Sequence, residues 1–300
     1  SGSAFYPAGD AAAVNITSCD VTASVYCVAT NAATKENYGV KIDLKGSKFT
    51  SNAEGGDNCP VMINVPGTLI MENCEVTGDR MGVLVRAGDA TISNCTIKAT
   101  GEYTDNHKYE SLDAWGSGNE VPMAAIIVGS KNGSYNKNAT CEISNTDISQ
   151  SNTNKPAVYV SSNKSGAYSS QLTISGEETA INGNVVVADG SEKTPAAVVI
   201  TDSATVDGSI TNNSSVSSVA VIGGATLTGE VKTNEKSGPV YVEGNENSST
   251  GVAMNERTGL VSKDLNSAIT AAQDKDTITL LQNIDKPSEL KTGTTSGSNI

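Results

Sequence analysis

Aromatic and basic residues are scarce in this chain of 300 residues. It contains 2 Phe, 1 Trp and 1 His, and aromatic residues make up 4% of the sequence. Lys and Arg total 20 against 33 Asp and Glu, which gives a formal charge of −13. Nucleic-acid binding and docking on an anionic membrane both need clustered positive charge. The composition therefore argues against both classes of function.

Long apolar runs are also missing. No stretch approaches the ~20 consecutive apolar residues that a membrane-spanning helix requires, so we expect no membrane insertion. Hydrophobic residues make up 37% of the chain, and 29 glycines accompany them. This composition can form a hydrophobic core, but the core has to be built from small aliphatic side chains.

One short pattern recurs along the chain. It consists of an apolar residue, any residue, a small or amide residue, then Cys, Ser or Thr, any residue, and an apolar residue. Its clear and looser copies begin at eight positions: Ile16, Leu44, Met71, Ile92, Ile143, Ile174, Ile200 and Ile222. The spacing falls within the periods of solenoid repeats. The step from Ile92 to Ile143 is about twice as long as the others, and it contains either a long loop or an additional coil.

Short apolar segments accompany the repeats. They are rich in β-branched residues and bounded by turn-forming residues, which is typical of strands, and they cover residues 38–42, 61–65, 82–85, 125–128, 157–160 and 196–200. Repeats of this length with two or three strands and no helix favour a parallel β-solenoid, whose coils stack at ~4.8 Å. Eight or nine coils would form a rod roughly 40 Å long.

A family resemblance is carried by three residue pairs at one position of the repeat, namely Ser18-Cys19, Asn73-Cys74 and Asn94-Cys95. They resemble the stacked turns of right-handed parallel β-helices of the pectate-lyase-like superfold, which is common in bacterial surface proteins and polysaccharide-active enzymes. The resemblance covers about residues 14–245 and concerns architecture. It implies an all-β chain, with a right-handed parallel β-helix solenoid over 14–258 after an N-terminal segment, 1–13. It also implies an extracellular or cell-surface location.

The C-terminal part has a different pattern. A helical face is formed by Leu265, Ala268, Ile269 and Ala272. Ser262 is the expected N-cap, with Asp264 in the first turn. A strand is expected over 276–284. This short helix-strand element, 259–290, either caps the solenoid or begins a further module, and we expect residues 291–300 to form a mobile tail.

The six cysteines are Cys19, Cys27, Cys59, Cys74, Cys95 and Cys141. No pair has the spacing of a zinc site and the chain has one His, so we expect no metal. Cys19, Cys74 and Cys95 share one repeat position, which favours a buried ladder of free thiols. Disulfides between adjacent coils are the alternative for an exported protein. A catalytic cysteine is disfavoured because the repeats offer no His to activate it.

The segment 98–123 has the most unusual local composition, because it holds both the His and the Trp of the chain. Aromatic rings stack on the apolar faces of sugars, and carboxylates accept hydrogen bonds from hydroxyls. The candidate ligand-binding residues are Tyr103, Asp105, His107, Tyr109, Asp113 and Trp115. A structural role, in which Trp115 seals an irregular edge of the coil, and a catalytic role are the alternatives.

Catalytic residues are not evident. Lyases of the resembled superfold use calcium held by acids together with Arg or Lys, and Arg86 with Asp79 and Asp89 is the one such combination near a coil strand. Hydrolases of the polygalacturonase type need an adjacent Asp pair and an active-site His, and this chain has no Asp-Asp dipeptide.

The function expected from these observations is adhesion or structural display outside the cell. We predict a monomeric module without a cofactor, which binds glycans or a host surface protein through the inserted loop. A polysaccharide lyase or glycoside hydrolase of the same superfold is the alternative. A purely structural spacer is a third interpretation.

Overall fold

The structure is a computed structural model of the chain. It describes residues 3–30, 39–52, 59–101, 123–130, 137–161, 168–188, 194–245 and 250–284. Within these residues the chain winds through nine successive coils of short strands, followed by a small C-terminal unit.

The first four coils contain three strands each. Their bounds are β1 Ser3–Phe5, β2 Ala13–Thr17, β3 Asp20–Ala23, β4 Tyr26–Ala29, β5 Val40–Lys45, β6 Lys48–Ser51, β7 Val61–Ile63, β8 Gly67–Glu72, β9 Glu75–Gly78, β10 Met81–Val85, β11 Gly88–Ser93 and β12 Thr96–Ala99.

The next five coils continue this order, and the ninth contributes two strands. Their bounds are β13 Ala124–Gly129, β14 Ala139–Ser144, β15 Asp147–Gln150, β16 Val158–Ser161, β17 Ser170–Ser175, β18 Ala180–Asn182, β19 Val185–Ala188, β20 Ala196–Ile200, β21 Thr205–Asp207, β22 Ile210–Asn212, β23 Ser218–Val221, β24 Thr226–Leu227, β25 Val231–Thr233 and β26 Val240–Val242.

Equivalent strands of successive coils form three long sheets. The first strands of the coils make sheet 1, the second strands make sheet 2 and the third strands make sheet 3, with nine, nine and eight strands. Neighbouring strands pair in parallel, as in β11 with β8 and β14. The prediction of an all-β parallel β-helix solenoid is therefore confirmed.

The register of sheet 2 corrects two details of the repeat. Its interior ladder runs through Ile16, Leu44, Met71, Ile92, Ile143, Ile174, Ile200, Val221 and Val242. Ile200 pairs with Val221, so the copy placed at Ile222 was one residue late. Ile92 pairs directly with Ile143, so the long step is one coil with long connections, and no additional coil is inserted.

The apolar segments seen in the sequence belong to two different sheets. Residues 61–65, 82–85, 125–128 and 157–160 contain strands of sheet 1, which precede the repeat pattern in each coil. Segments 38–42 and 196–200 instead contribute β5 and β20, which are strands of sheet 2. The sequence pattern did not separate the two because both sheets bury β-branched side chains.

The corner after each strand of sheet 2 places a left-handed residue at the same position in every coil. Two residues after the ladder residue, the backbone turns through a left-handed conformation with φ between 46° and 97°, at Ser18, Gly46, Asn73, Asn94, Asn145, Gly176, Asp202, Gly223 and Gly244. Gly, Asn and Asp tolerate this conformation best. This requirement explains the small or amide residue in the repeat.

Replacing Asn94 with Val tests the corner. A β-branched side chain is disfavoured in the left-handed region, and Asn94 has φ 52°, so we expect the free energy of unfolding to fall by about 2 kcal/mol. The matched control is Asn94→Gly, since glycine already occupies this place in four other coils. Chemical denaturation followed by circular dichroism measures the free energy of unfolding of both variants. Equal losses for Val and Gly would contradict the conformational explanation.

The interior of the tube is filled by aliphatic side chains from all three sheets. One ladder of sheet 3 runs through Val21, Phe49, Val76, Ile97, Ile148, Ile181, Val206 and Leu227. Phe49 is fully buried in this core, where the other members are smaller. The expectation of a core without large aromatic clusters therefore holds for the described interior.

The C-terminal unit packs beside the solenoid. It comprises β27 Ala253–Asn255, β28 Val261–Ser262, α1 Leu265–Ala271 and β29 Ile278–Leu280, and its strands form an antiparallel sheet in the order β28-β27-β29. Met254 and Val261 contact Val199 and Ala220 on the outer side of sheet 2. The Val261 N–H donates to Ser218 Oγ at 2.9 Å.

The N-cap of the helix lies two residues later than predicted. Asp264 is the N-cap, and its carboxylate accepts a hydrogen bond from the Ser267 N–H at 2.8 Å. Ser262 instead ends β28. Ala268 is the buried residue of the helix, as its place on the apolar face suggested.

Asp276 organises the turn of the C-terminal unit. Its carboxylate accepts hydrogen bonds from the Arg257 guanidinium, from the Gln273 N–H at 2.9 Å and from Asn255 Nδ2 at 2.7 Å. The Arg257 hydrogen bond is the main reason why the pKa of Asp276 lies far below its usual value.

This pKa predicts acid sensitivity of the C-terminal unit. A depressed carboxyl pKa contributes stability above the unfolded value of about 3.9, and that stability is lost as the pH falls toward the folded value. We expect the melting temperature of the unit to fall between about pH 5 and pH 2. Calorimetry of wild type and Asp276→Asn measures the effect. The variant should already be less stable at neutral pH, and an unchanged acid dependence in it would contradict the assignment to Asp276.

Candidate functional site

The three corners of the coil differ in how much chain they carry. The connection from sheet 2 to sheet 3 never exceeds the four residues seen in 176–179. The connections at both edges of sheet 1 vary widely. The chain from β12 to β13 runs over 100–123, and the chain from β13 to β14 runs over 130–138. Long connections therefore begin and end along the two edges of sheet 1.

Sheet 1 is apolar on its outer side as well as on its inner side. Its outward ladder runs through Ala29, Met62, Leu84, Ile127, Tyr159 and Val186. Met62, Leu84 and Ile127 are almost completely buried. The ladder becomes polar in the last coils, where Thr211 and Lys232 continue it. Sheet 1 thus separates two apolar clusters over coils 2 to 7.

Two buried arginines flank this outer cluster. Arg80 lies just before β10 and Arg86 just after it, with exposed fractions of 1% and 0%. They are among the largest fully buried side chains of the described residues. A guanidinium is buried only with polar partners, because its desolvation is otherwise too costly. Arginine is normally exposed, and no sequence pattern indicated this burial.

Asp79 and Arg86, which were considered together for a calcium site, lie at opposite ends of β10. Asp79 precedes β10, and the five residues of that strand span roughly 17 Å before Arg86 and Asp89 follow. The Asp89 carboxylate accepts hydrogen bonds from Lys137 Nζ, at 2.7 Å, and from Thr140 Oγ1. Burial raises the pKa of Asp89, but these hydrogen bonds outweigh it and the net pKa is lowered. Asp89 is therefore ionised and already paired.

Polar side chains also line the edge where sheet 1 leads into sheet 2. The buried Thr30 Oγ1 accepts a hydrogen bond from the Asn64 N–H at 2.8 Å. Further along, the Ser130 N–H donates to Ser170 Oγ at 2.8 Å, and Ser130 Oγ donates to the Tyr168 carbonyl at 2.7 Å. These bonds fix the points at which the variable connections leave the coil.

The six candidate ligand-binding residues all lie outside the described residues. Tyr103, Asp105, His107, Tyr109, Asp113 and Trp115 belong to the stretch 102–122. The described chain on either side ends at Gly101 and resumes at Met123, next to sheet 1. The prediction that these residues bind a ligand stays a prediction.

The three cysteines at equivalent repeat positions do form part of a ladder. It runs through Cys19, Ser47, Cys74, Cys95, Thr146 and Thr179, and links one coil to the next. Cys19, Cys74, Cys95 and Thr146 each donate a backbone N–H to a side-chain sulfur or oxygen of the ladder residue in the following coil. Cys74 and Cys95 are buried, as predicted, but Cys19 is exposed.

All six cysteines are free thiols. Cys27 and Cys141 line the interior, and burial raises their pKa values to about 11 and about 12. Cys59 lies in the outer cluster of sheet 1, where its thiol donates to the Val61 carbonyl at 3.2 Å. Cys27 and Cys141 are therefore protonated at neutral pH, and all three thiols serve as small packing groups.

Metal-binding clusters and membrane-spanning helices are both absent from the part of the chain that the structure describes. It contains no cluster of three or more His, Cys, Asp or Glu side chains arranged to hold a metal ion. It also contains no helix with the length and apolar character to cross a membrane. Comparison of the chain with protein families, curated proteins and solved structures finds no match.

Proposed function

We propose that this protein is an extracellular or cell-surface β-helix module for adhesion or structural display. The observation that supports this proposal best is the difference between the corners of the coil. The corner from sheet 2 to sheet 3 contains two or four residues and keeps a left-handed residue at one position, whereas both edges of sheet 1 carry connections of very different length. A solenoid of this kind combines a rigid stack with variable connections in which recognition residues reside.

The ligand proposed is a glycan or a host surface protein. The connection 100–123 carries the Trp and the His of the chain, and two of its tyrosines. Rings of this kind provide stacking surfaces for sugars, and the accompanying acids accept hydrogen bonds from hydroxyls. The connection joins the solenoid at sheet 1, next to the buried outer cluster that contains Met62 and Ile127.

Replacing Trp115 with Ala tests the binding proposal. We screen the full chain on an array of neutral and acidic glycans and measure the best ligand by calorimetry. Loss of a stacking ring is expected to weaken binding at least about tenfold. The control is Thr91→Ala on the exposed outer side of sheet 2, which should leave binding unchanged. Binding that survives in Trp115→Ala would remove the connection from the site while leaving adhesion in place.

An enzymatic assay tests the alternative function, a polysaccharide lyase or glycoside hydrolase. The chain is incubated with polygalacturonate and other acidic polysaccharides in the presence of calcium, and unsaturated products are followed by their ultraviolet absorbance. The burial of Arg86 and the pairing of Asp89 with Lys137 support the expectation of no release. Release of unsaturated sugars by the wild-type chain would overturn the proposal of a non-enzymatic module.

A further inference from the structure

Cys74 and Cys95 occupy consecutive places of the corner ladder. The Cys74 N–H donates to Cys95 Sγ at 3.4 Å. The strands that begin immediately after them pair in register, with Glu75 opposite Thr96. The Thr96 N–H donates to the Cys74 carbonyl at 2.9 Å. The two cysteines therefore lie one directly above the other in adjacent coils.

This stacking suits a covalent link between the coils. Neighbouring strands lie about 4.8 Å apart, and disulfides join Cα atoms that are about 4.4–6.8 Å apart. The remaining thiol of the ladder, Cys19, is followed by Ser47, and Cys95 is followed by Thr146, so these neighbours hold hydroxyls. Cys74 and Cys95 are thus the pair of thiols that the ladder places in adjacent coils.

The contact between the two sulfurs also affects their ionisation. A side-chain hydrogen bond with Cys95 lowers the pKa of Cys74 to about 7, and the same contact raises the pKa of Cys95. A fraction of Cys74 is therefore thiolate at neutral pH, and the thiolate is the form that reacts with oxidants. The interior thiols Cys27 and Cys141 lack this activation, since burial raises their pKa values.

Burial determines which oxidant reaches the pair. Cys74 and Cys95 have exposed fractions of 1% and 4%. A bulky disulfide such as oxidised glutathione needs an open approach to the attacked sulfur, whereas hydrogen peroxide has only two non-hydrogen atoms. The geometry favours the small oxidant.

We propose that Cys74 and Cys95 are an oxidation site at which hydrogen peroxide converts the stacked thiols to a disulfide between adjacent coils. The Cys74 thiolate attacks one peroxide oxygen, which forms an S–O bond, breaks the O–O bond and releases hydroxide. The Cys95 sulfur then displaces the oxygen of the sulfenic acid, which forms the S–S bond and releases water. In total two thiols lose two electrons and two protons, and one peroxide is reduced to two waters.

Peptide mapping of the peroxide-treated full chain tests the site. The remaining thiols are alkylated in denaturant, and trypsin then cleaves at Arg80 and Arg86, between the two cysteines. The expected product is a disulfide-linked pair of peptides, 49–80 and 87–98, which reduction separates. Because 49–80 also contains Cys59, a second cleavage at Glu72 assigns the linked sulfur to Cys74.

Two serine variants make the test specific. Cys95→Ser keeps a hydroxyl like that of Ser47, so the corner is preserved, and it should lose the link. Cys19→Ser removes the exposed thiol and should form the link as the wild type does. The melting temperature should rise on peroxide treatment in the wild type and in Cys19→Ser, but not in Cys95→Ser, because the link constrains the unfolded chain.

The proposal is overturned if Cys74 and Cys95 remain alkylatable in the wild type at a peroxide dose that oxidises Cys19. A link that forms only in denaturant, or that joins other cysteines, also overturns it. Oxidised glutathione should modify Cys19 and leave the pair reduced. Linkage by glutathione at the same rate as by peroxide would contradict the part of the proposal that rests on burial. None of these outcomes depends on the proposed adhesion function.

Discussion

Phe49→Ala is expected to reduce the free energy of unfolding by about 3–5 kcal/mol. Phe49 is fully buried in the sheet 3 ladder, between Val21 and Val76 of the neighbouring coils. Truncation removes the transfer free energy of the ring and leaves a cavity, which the stacked coils cannot close without losing their register. Urea denaturation followed by circular dichroism measures the loss.

The neighbouring residue provides a matched control for Phe49. Thr50 is next in the same strand and points away from the core, where it is partly exposed. Thr50→Ala should change the free energy of unfolding by no more than about 0.5 kcal/mol. A similar loss in both variants would indicate that the strand, rather than the interior side chain, determines stability at this coil.

Arg86→Ala is expected to cost about 3–5 kcal/mol of unfolding free energy. The Arg86 side chain is completely buried at the end of β10. Truncation removes its packing and leaves the buried groups around it without the guanidinium. Thermal and urea unfolding of the purified variant measure the effect, and the soluble yield of the variant should fall as well.

Two further variants separate charge from packing at this position. Lys98→Ala removes an exposed cation on β12 and should be nearly neutral. Arg86→Met keeps most of the side-chain volume but no polar donor. If Arg86→Met is nearly as stable as wild type, packing is the main contribution of Arg86 to stability. If Arg86→Met is as unstable as Arg86→Ala, the polar contacts are the main contribution. An Arg86→Ala variant within about 1 kcal/mol of wild type would contradict the expected role.

The repeat could be recognised from the sequence because the corner places two requirements on neighbouring residues. The left-handed backbone needs Gly, Asn or a similar residue, as at Asn73 and Asn94, and the next position needs a side chain that donates back to the chain. The copy at Ile222 was placed one residue late because Val221 and Ile222 are both apolar and are followed by two glycines, so the pattern fits two registers there.

The outer cluster of sheet 1 could not be predicted in the same way. Alternation of polar and apolar residues shows which strands bury one face, but it does not identify what covers a second apolar face. The uninterrupted apolar runs of β10 and β13 are the signal, because strands buried on both faces read as continuous apolar segments. The burial of Arg80 and Arg86 had no such signal, since arginine is normally exposed.

The packing of the C-terminal unit was likewise hidden in the sequence. The pattern predicted a helix and a strand, but their contacts with Val199 and Ala220 come from outward positions of sheet 2, which the sequence gives no reason to pair with them. Sequence reasoning left a cap and a further module as alternatives. The described contacts lie along the side of sheet 2, at its last strands.

The hydrogen bonds between coils run along the long axis of the solenoid, so a pulling force along that axis loads the coil interfaces in series. In sheet 2, six residue pairs join β11 to β14, whereas three join β23 to β26 at the last interface. The last interfaces are thus the mechanically weakest, and they should yield first. The C-terminal unit contacts Val199, Ala220 and Tyr241 in three successive coils at this end. It therefore adds load-bearing contacts where the ladders are shortest.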